Sequence, residues 1–151
     1  MHMRGDPSTM QSEQNLLYGD VCKEVASELY TRVREAGLSG IPLWRIVLDP
    51  GIGFSKKSKH NLELIMGLES IRAEIGKMSL GTSHVPILLG PSRKRFLGEI
   101  CSRASPVERD VATVASSTAG ILNGANIVRV HNVGYGVDNA KVCDALSKGR
   151  R

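Results

Sequence analysis

Two apolar periodicities take turns along the chain. Between positions 12 and 36, Leu17, Val21, Val25, Leu29 and Val33 recur every fourth residue, which gathers them on one face of a long amphipathic helix closed by Gly37. Gly40-Ile41-Pro42 breaks that pattern, and the short apolar run at 46–48 reads as a buried parallel strand. A second helical stretch starts at Ser58 or Asn61, with Leu62, Ile65 and Met66 on one face. It resumes past Gly67 with Leu68, Ile71, Ile75 and Met78, as one helix or as two. The run Val85-Pro86-Ile87-Leu88-Leu89-Gly90 predicts another strand. Ser105-Pro106-Val107-Glu108 has the form of a capping box with proline at the first helical position, so a helix is expected over 106–122, burying Val111, Val114, Ala115 and Ala119 and stopped by Asn123-Gly124. A further strand over 125–131 places Arg129 and His131, two residues apart, on one face, and a last helix covers 137–146. At the other end, residues 1–3 read as the end of a strand and Gly5-Asp6-Pro7 as the loop after it.

Strand and helix therefore alternate four times, which argues for an α/β fold with a parallel sheet. Four strands, each ending in polar residues, resemble half of a TIM (β/α)8 barrel, whose sites lie at the C-terminal ends of its strands. A closed barrel takes about 250 residues. With 151 residues, the expectation is an incomplete barrel of four βα units, residues 1–151 making one partial domain. No window approaches 18 consecutive apolar residues, and Met1-His2-Met3-Arg4 lacks the pattern of a signal peptide, so neither a membrane span nor a secretory route is indicated. Cys22, Cys101 and Cys143 are an odd, widely spaced set without zinc or redox spacing and read as reduced structural thiols.

Twenty Lys and Arg against 15 Asp and Glu give a net charge of +5. The basic clusters Lys56/Lys57/Lys59, Arg93/Lys94/Arg95 and Lys148/Arg150/Arg151 are short, and aromatics make up only 4% of the chain, so a nucleic-acid partner is not expected. The middle cluster suits an anionic small substrate. The outer two read as solvated surface.

The candidate site is organised around Asp49-Pro50-Gly51-Ile52-Gly53-Phe54, where the strand at 46–48 delivers a carboxylate to its own C-terminal end. Pro50 withholds a backbone donor, and Gly51 and Gly53 permit positive φ, so the turn can pass close beneath a ligand. The other strand ends add Ser92 with Lys94, and Arg129 with His131. One acid, three cationic groups and a hydroxyl suit a ligand with both amide-like donors and a phosphate: a carboxylate accepts from a guanidine-like ring edge, while Arg and Lys neutralise phosphoryl charge. Plainer readings stand beside these. Asp49 also suits an Asx-turn, and Lys94 a solvated place at a basic helix start. His2, His60 and His84 show no metal spacing and read as structural or exposed.

The segments MHMRGDPSTMQ, DPGIGF, GPSRKRF, ERDVATVA and GANIVRVHNV, in this order and spacing, resemble the C-terminal half of dihydropteroate synthase. The likeness covers nearly the whole chain and is greatest to the synthase part of the fused pyrophosphokinase and synthase proteins of plants, where Asn at the position of Asn132 is familiar. The resemblance implies a (β/α)8 transferase of folate biosynthesis that joins 4-aminobenzoate to 6-hydroxymethyl-7,8-dihydropterin diphosphate, releasing diphosphate and dihydropteroate. It assigns Asp49 to the pterin ring donors and Lys94 to the ring carbonyl and nitrogen edge. Arg129 is assigned to the ring and, with His131, to the diphosphate; Ser92, with the following helix N-terminus, to the aminobenzoate carboxylate. Lys94, Arg129 and His131 would then be the catalytic set. The resemblance further implies Mg2+ on the diphosphate, held by residues this chain does not contain, and a soluble protein of mitochondria or cytoplasm. The family's first strands have no counterpart before Met1, so the chain alone is expected to be inactive or nearly so, or else a non-catalytic pterin-binding or interaction fragment. A missing N-terminal half, or a second copy in a homodimer, would complete the site.

Overall fold

The computed structural model describes residues 1–149, and of the C-terminal basic cluster Arg150 and Arg151 lie outside them. The fold is α/β and mostly helical. Its first long helix, α1 (Val21–Leu38), starts later than the fourfold apolar repeat suggests. Asp20 caps it, its carboxylate accepting from Lys23 N at 3.1 Å, and Glu24 reaches back to Gly19 N at 2.6 Å. Residues Glu13–Leu16 form a separate 3-10 turn, and Leu17, expected on the buried face, is 65% exposed. From Val21 onward the repeat holds: Val21, Val25, Leu29 and Val33 are all buried. The helix passes through Gly37 and ends beyond it, where Gly40 takes positive φ.

The next stretch is two helices, α2 (Ser58–Met66) and α3 (Leu68–Met78). They part at Gly67, where a side chain would meet Cys22 Sγ of α1 at 2.5 Å. Leu64 and Ile65 are buried on α2 and Leu68, Ile71 and Ile75 on α3, whereas Leu62 and Met66, expected inside, are exposed. With the buried face of α1 they form the main apolar core, together with Leu48, Ile87 and Leu89 from the sheet.

That sheet is short. Strands β1 (Leu88–Leu89) and β2 (Ile127–Val128) pair in parallel, with Leu88 opposite Ile127 and Leu89 opposite Val128. Residues 46–48 contribute a single parallel bridge, Leu48 to Ile87, in place of the expected strand, and residues 1–3 add one bond, His2 N to Asp49 O at 2.8 Å. Pro50 and Pro86 carry no backbone N–H, which cuts the ladder on both sides of the bridge. Helix α4 (Arg95–Cys101) follows β1, and α6 (Val133–Lys148), capped by Asn132, follows β2 and starts four residues before the expected Val137.

Helix α5 (Asp110–Leu122) corrects two expectations. The proposed capping box does not form: Pro106 leads into a 3-10 turn, Val107–Arg109, with no side-chain cap. The buried face is the small, polar one, made by Asp110, Thr113, Ser117 and Gly120, while Val111 is 76% exposed and Ala115 is also outside. Gly120 explains the choice. It lies against the Leu89 side chain, where any Cβ would collide, so only this face lets the helix approach β1.

Candidate functional site

Parallel pairing gives residues in register the same side of the sheet. Asp49 is therefore level with Leu88 and Ile127, and Gly90 with Arg129, on the face opposite Leu48, Ile87 and Leu89. The helices cover the second face; on the first, Val47, Ile127 and Arg129 are exposed. Asp49 and Arg129 thus share the uncovered side.

Lys94 joins them. It occupies the N-cap position of α4, and its Nζ donates to the Ile52 carbonyl and lies 4.4 Å from the Phe54 ring centroid. Burial lowers its pKa to about 8, with Asp49 opposing the shift and Arg129 adding to it. The turn below is shaped for this approach. Gly53, at φ +79°, would bring a Cβ within 2.9 Å of Lys94 Cδ, and its amide donates to Asn61 Oδ1 at 2.7 Å. Asp49 uses Oδ1 to accept from Gly51 N at 2.8 Å, so the Asx-turn is real. Oδ2 has no hydrogen-bond partner among the described residues, leaving it available to a ligand.

Ser92 is 3% exposed, and its hydroxyl is engaged: it accepts from His131 N at 3.1 Å and lies 2.8 Å from His131 Nδ1. Donation of the hydroxyl proton to Nδ1 leaves Nε2 as the protonated nitrogen of the exposed imidazole. Desolvation, then the nearby Arg129 and Arg93 charges, keep the His131 pKa below its ordinary value, so the ring serves as a neutral donor near pH 7.

Sequence reasoning missed two groups. Lys56, expected on the solvated surface, is 5% exposed, its Nζ 2.9 Å from both His2 Nδ1 and the Phe54 carbonyl. Burial, with Arg4 as the next contributor, lowers its pKa to about 7. His2 turns its other nitrogen to Glu28 at 2.9 Å, and Arg4 also binds Glu28 and stacks 3.9 Å from the Tyr18 ring centroid. The only sequence signal was the place of Lys56, two residues past Phe54 in the same turn. The second group is Arg93 with Asp110, Arg109 and Thr113, on two separate segments whose closeness no local pattern reveals. Beside Phe54 and Lys94 a groove of about 580 Å3 opens, also lined by Gln11, Asn61 and Arg95.

A family profile described as Pterin binding enzyme matches residues 1–131. The chain belongs to this pterin binding enzyme family. Among its relatives, the mitochondrial folate synthesis bifunctional protein of Arabidopsis thaliana is 66% identical over 151 residues, all of this chain and 27% of that protein. The dihydropteroate synthase of Stenotrophomonas maltophilia, with imidazole in its active site, superposes with a TM-score of 0.84 at 39% identity, over 97% of this chain and 51% of that one. The Thermus thermophilus synthase in complex with 4-aminobenzoate gives 0.83 at 36% identity, over 97% and 55% of the two chains. In complex with 6HMPPP it gives 0.82 at 36%, over 97% and 54%. These neighbours are TIM barrels, and this pterin binding enzyme chain spans about half the length of each.

Proposed function

We propose that the chain forms the C-terminal half of a dihydropteroate synthase barrel, residues 1–151 supplying four βα units and the grip on a pterin diphosphate. The observation that carries this reading is the convergence of Asp49, Lys94 and Arg129 on one uncovered sheet face. Family membership and the ligands named for the Thermus synthase support it. Asp49 Oδ2 accepts from the donors of the pterin ring edge, and Lys94 meets the ring carbonyl and nitrogen. Arg129 flanks the ring and, with the Nε2–H of His131, holds the diphosphate. Ser92 acts by fixing His131. The aminobenzoate lies along the Phe54 side of the groove, its carboxylate near the first-turn amides of α4.

The amine nitrogen of 4-aminobenzoate bonds to the pterin methylene carbon as the carbon–oxygen bond to diphosphate breaks. The bonding pair leaves with the diphosphate, and the new amine loses a proton. Arg129 and His131 meet charge that grows on the departing oxygen, so they lower the barrier more than they tighten binding of the intact substrate, while Lys94 holds the ring edge in place. Magnesium is the family's expected ion. Among the described residues no group of three or more His, Cys, Asp or Glu side chains could hold a metal; Asp49 is tied to Gly51 and Asp110 to Arg93. These residues do not fit the ion, and no step here passes through it.

The remaining pocket comes from a polypeptide carrying the N-terminal half. The name of the Arabidopsis relative supports a mitochondrial compartment, and no described helix is long and apolar enough to cross a membrane. The test is complementation: the chain assayed with both substrates, alone and mixed with the separately made N-terminal half. Turnover is expected only in the mixture. Full turnover by the chain alone overturns its incompleteness, and a mixture without turnover or pterin binding overturns the assignment.

A further inference from the structure

Arg93 is one of three non-glycine residues with positive φ among those described, at +60°, and it sits between Ser92 and Lys94. A side chain held there costs conformational energy and persists only where the surroundings over-determine it. The 3-10 turn ending at Arg109 and the first turn of α5 do so from three directions. Thr113 Oγ1 accepts from Arg93 N at 3.0 Å, and Arg109 donates to Arg93 O at 3.0 Å. Asp110 takes the guanidinium in a bidentate pair, 2.7 Å from Nε and 2.9 Å from the terminal nitrogen. Asp110 has a second client: Asn132 Nδ2 donates to its Oδ2 at 3.4 Å, and Asn132 directly follows His131 and caps α6.

One carboxylate therefore ties together the two segments that carry Ser92 with Lys94 and Arg129 with His131. We propose that Asp110 is a positioning residue: by clasping Arg93 in its left-handed conformation and anchoring Asn132, it sets Lys94 and the Ser92–His131 pair on the ligand face. This deepens the transferase reading and rests on it for its consequence in catalysis, whereas the geometry it asserts is testable without any ligand.

The left-handed backbone supplies the discriminating variant. Glycine adopts φ +60° without help, so Arg93→Gly should make Asp110 dispensable for the turn. In the isolated chain, the 15N signals of the His131 ring report whether Ser92 still fixes its tautomer. Asp110→Ala is expected to average the two ring nitrogens, and Arg93→Gly/Asp110→Ala to recover the wild-type pattern at least in part. In the complemented enzyme Asp110→Ala should lower kcat/KM for the pterin diphosphate at least tenfold, with the double variant closer to wild type. If Asp110→Ala does not fold, Asp110→Asn, which keeps the volume and one acceptor, is measured instead. An unchanged His131 ring in the variant overturns the proposal. So does an altered ring with unchanged kcat/KM, or a double variant worse than Asp110→Ala. If even wild-type complementation gives no turnover, the transferase reading fails and the His131 signals alone decide whether the clasp exists.

Discussion

The Ser92 hydroxyl bridges to His131 across 39 residues of sequence, with Oγ 2.8 Å from Nδ1. Removing it in Ser92→Ala should cost about 1 kcal/mol of stability and leave the imidazole free to rotate and change tautomer. In the complemented enzyme the expected result is a several-fold higher KM for the pterin diphosphate with little change for 4-aminobenzoate, read from initial rates with each substrate varied in turn.

In the proposed complex Lys94 must carry its proton to donate to the pterin ring carbonyl and nitrogen edge, and its pKa stands at about 8. The ammonium is present below that value and is lost as pH rises through it, so kcat/KM for the pterin diphosphate should fall above about pH 8. A pH profile of Lys94→Arg should lack this limb, because guanidinium stays charged. Lys94→Ala should lose about 1–3 kcal/mol of pterin binding by calorimetry; unchanged affinity would return Lys94 to the surface role.

Lys56 titrates near 7 when folded against an ordinary lysine value of 10.5. Between these values the unfolded chain binds more protons than the folded one, so the contribution of Lys56 to stability rises with pH across that window. Lys56→Met removes the dependence. Over pH 7 to 9 the stability of the wild type relative to Lys56→Met should increase by about 2 kcal/mol, measured by urea denaturation at several pH values.

Two glycines should respond oppositely to alanine. Gly51 has φ +73°, and a Cβ there would strike the His2 carbonyl oxygen, so Gly51→Ala should destabilise by at least about 2 kcal/mol. Gly37 lies inside α1 with nothing near its Cβ position, so Gly37→Ala should stabilise by about 0.5–1 kcal/mol. Denaturation midpoints of the two variants check both signs.

The parts of this molecule that were legible in its sequence are those with a local cause. Strand ends marked by Asp-Pro-Gly and Gly-Pro-Ser and the core face of α1 from Val21 onward follow from nearest neighbours in the chain, whereas Gly67 left one helix or two open, and Lys94 does meet the turn that Asp49 begins. The inward face of α5 was not legible, because a helix rich in small residues has no distinct apolar side, and the deciding contact, Gly120 on Leu89, comes from 31 positions away. Arg93 with Asp110 and Lys56 with His2 were hidden for the same reason: each joins polar groups far apart in the sequence that no local pattern links. The strands were overextended in expectation because Pro50 and Pro86 silence donors that an apolar run alone implies.

Because the His2 amide already hydrogen-bonds to the Asp49 carbonyl, the polypeptide is tied beside the candidate site one residue after Met1. A protein engineer joining another segment ahead of Met1 would therefore launch it from beside Asp49, at a point fixed by a bond that already exists. A flexible spacer at that junction would squander this placement, and a direct fusion would inherit it.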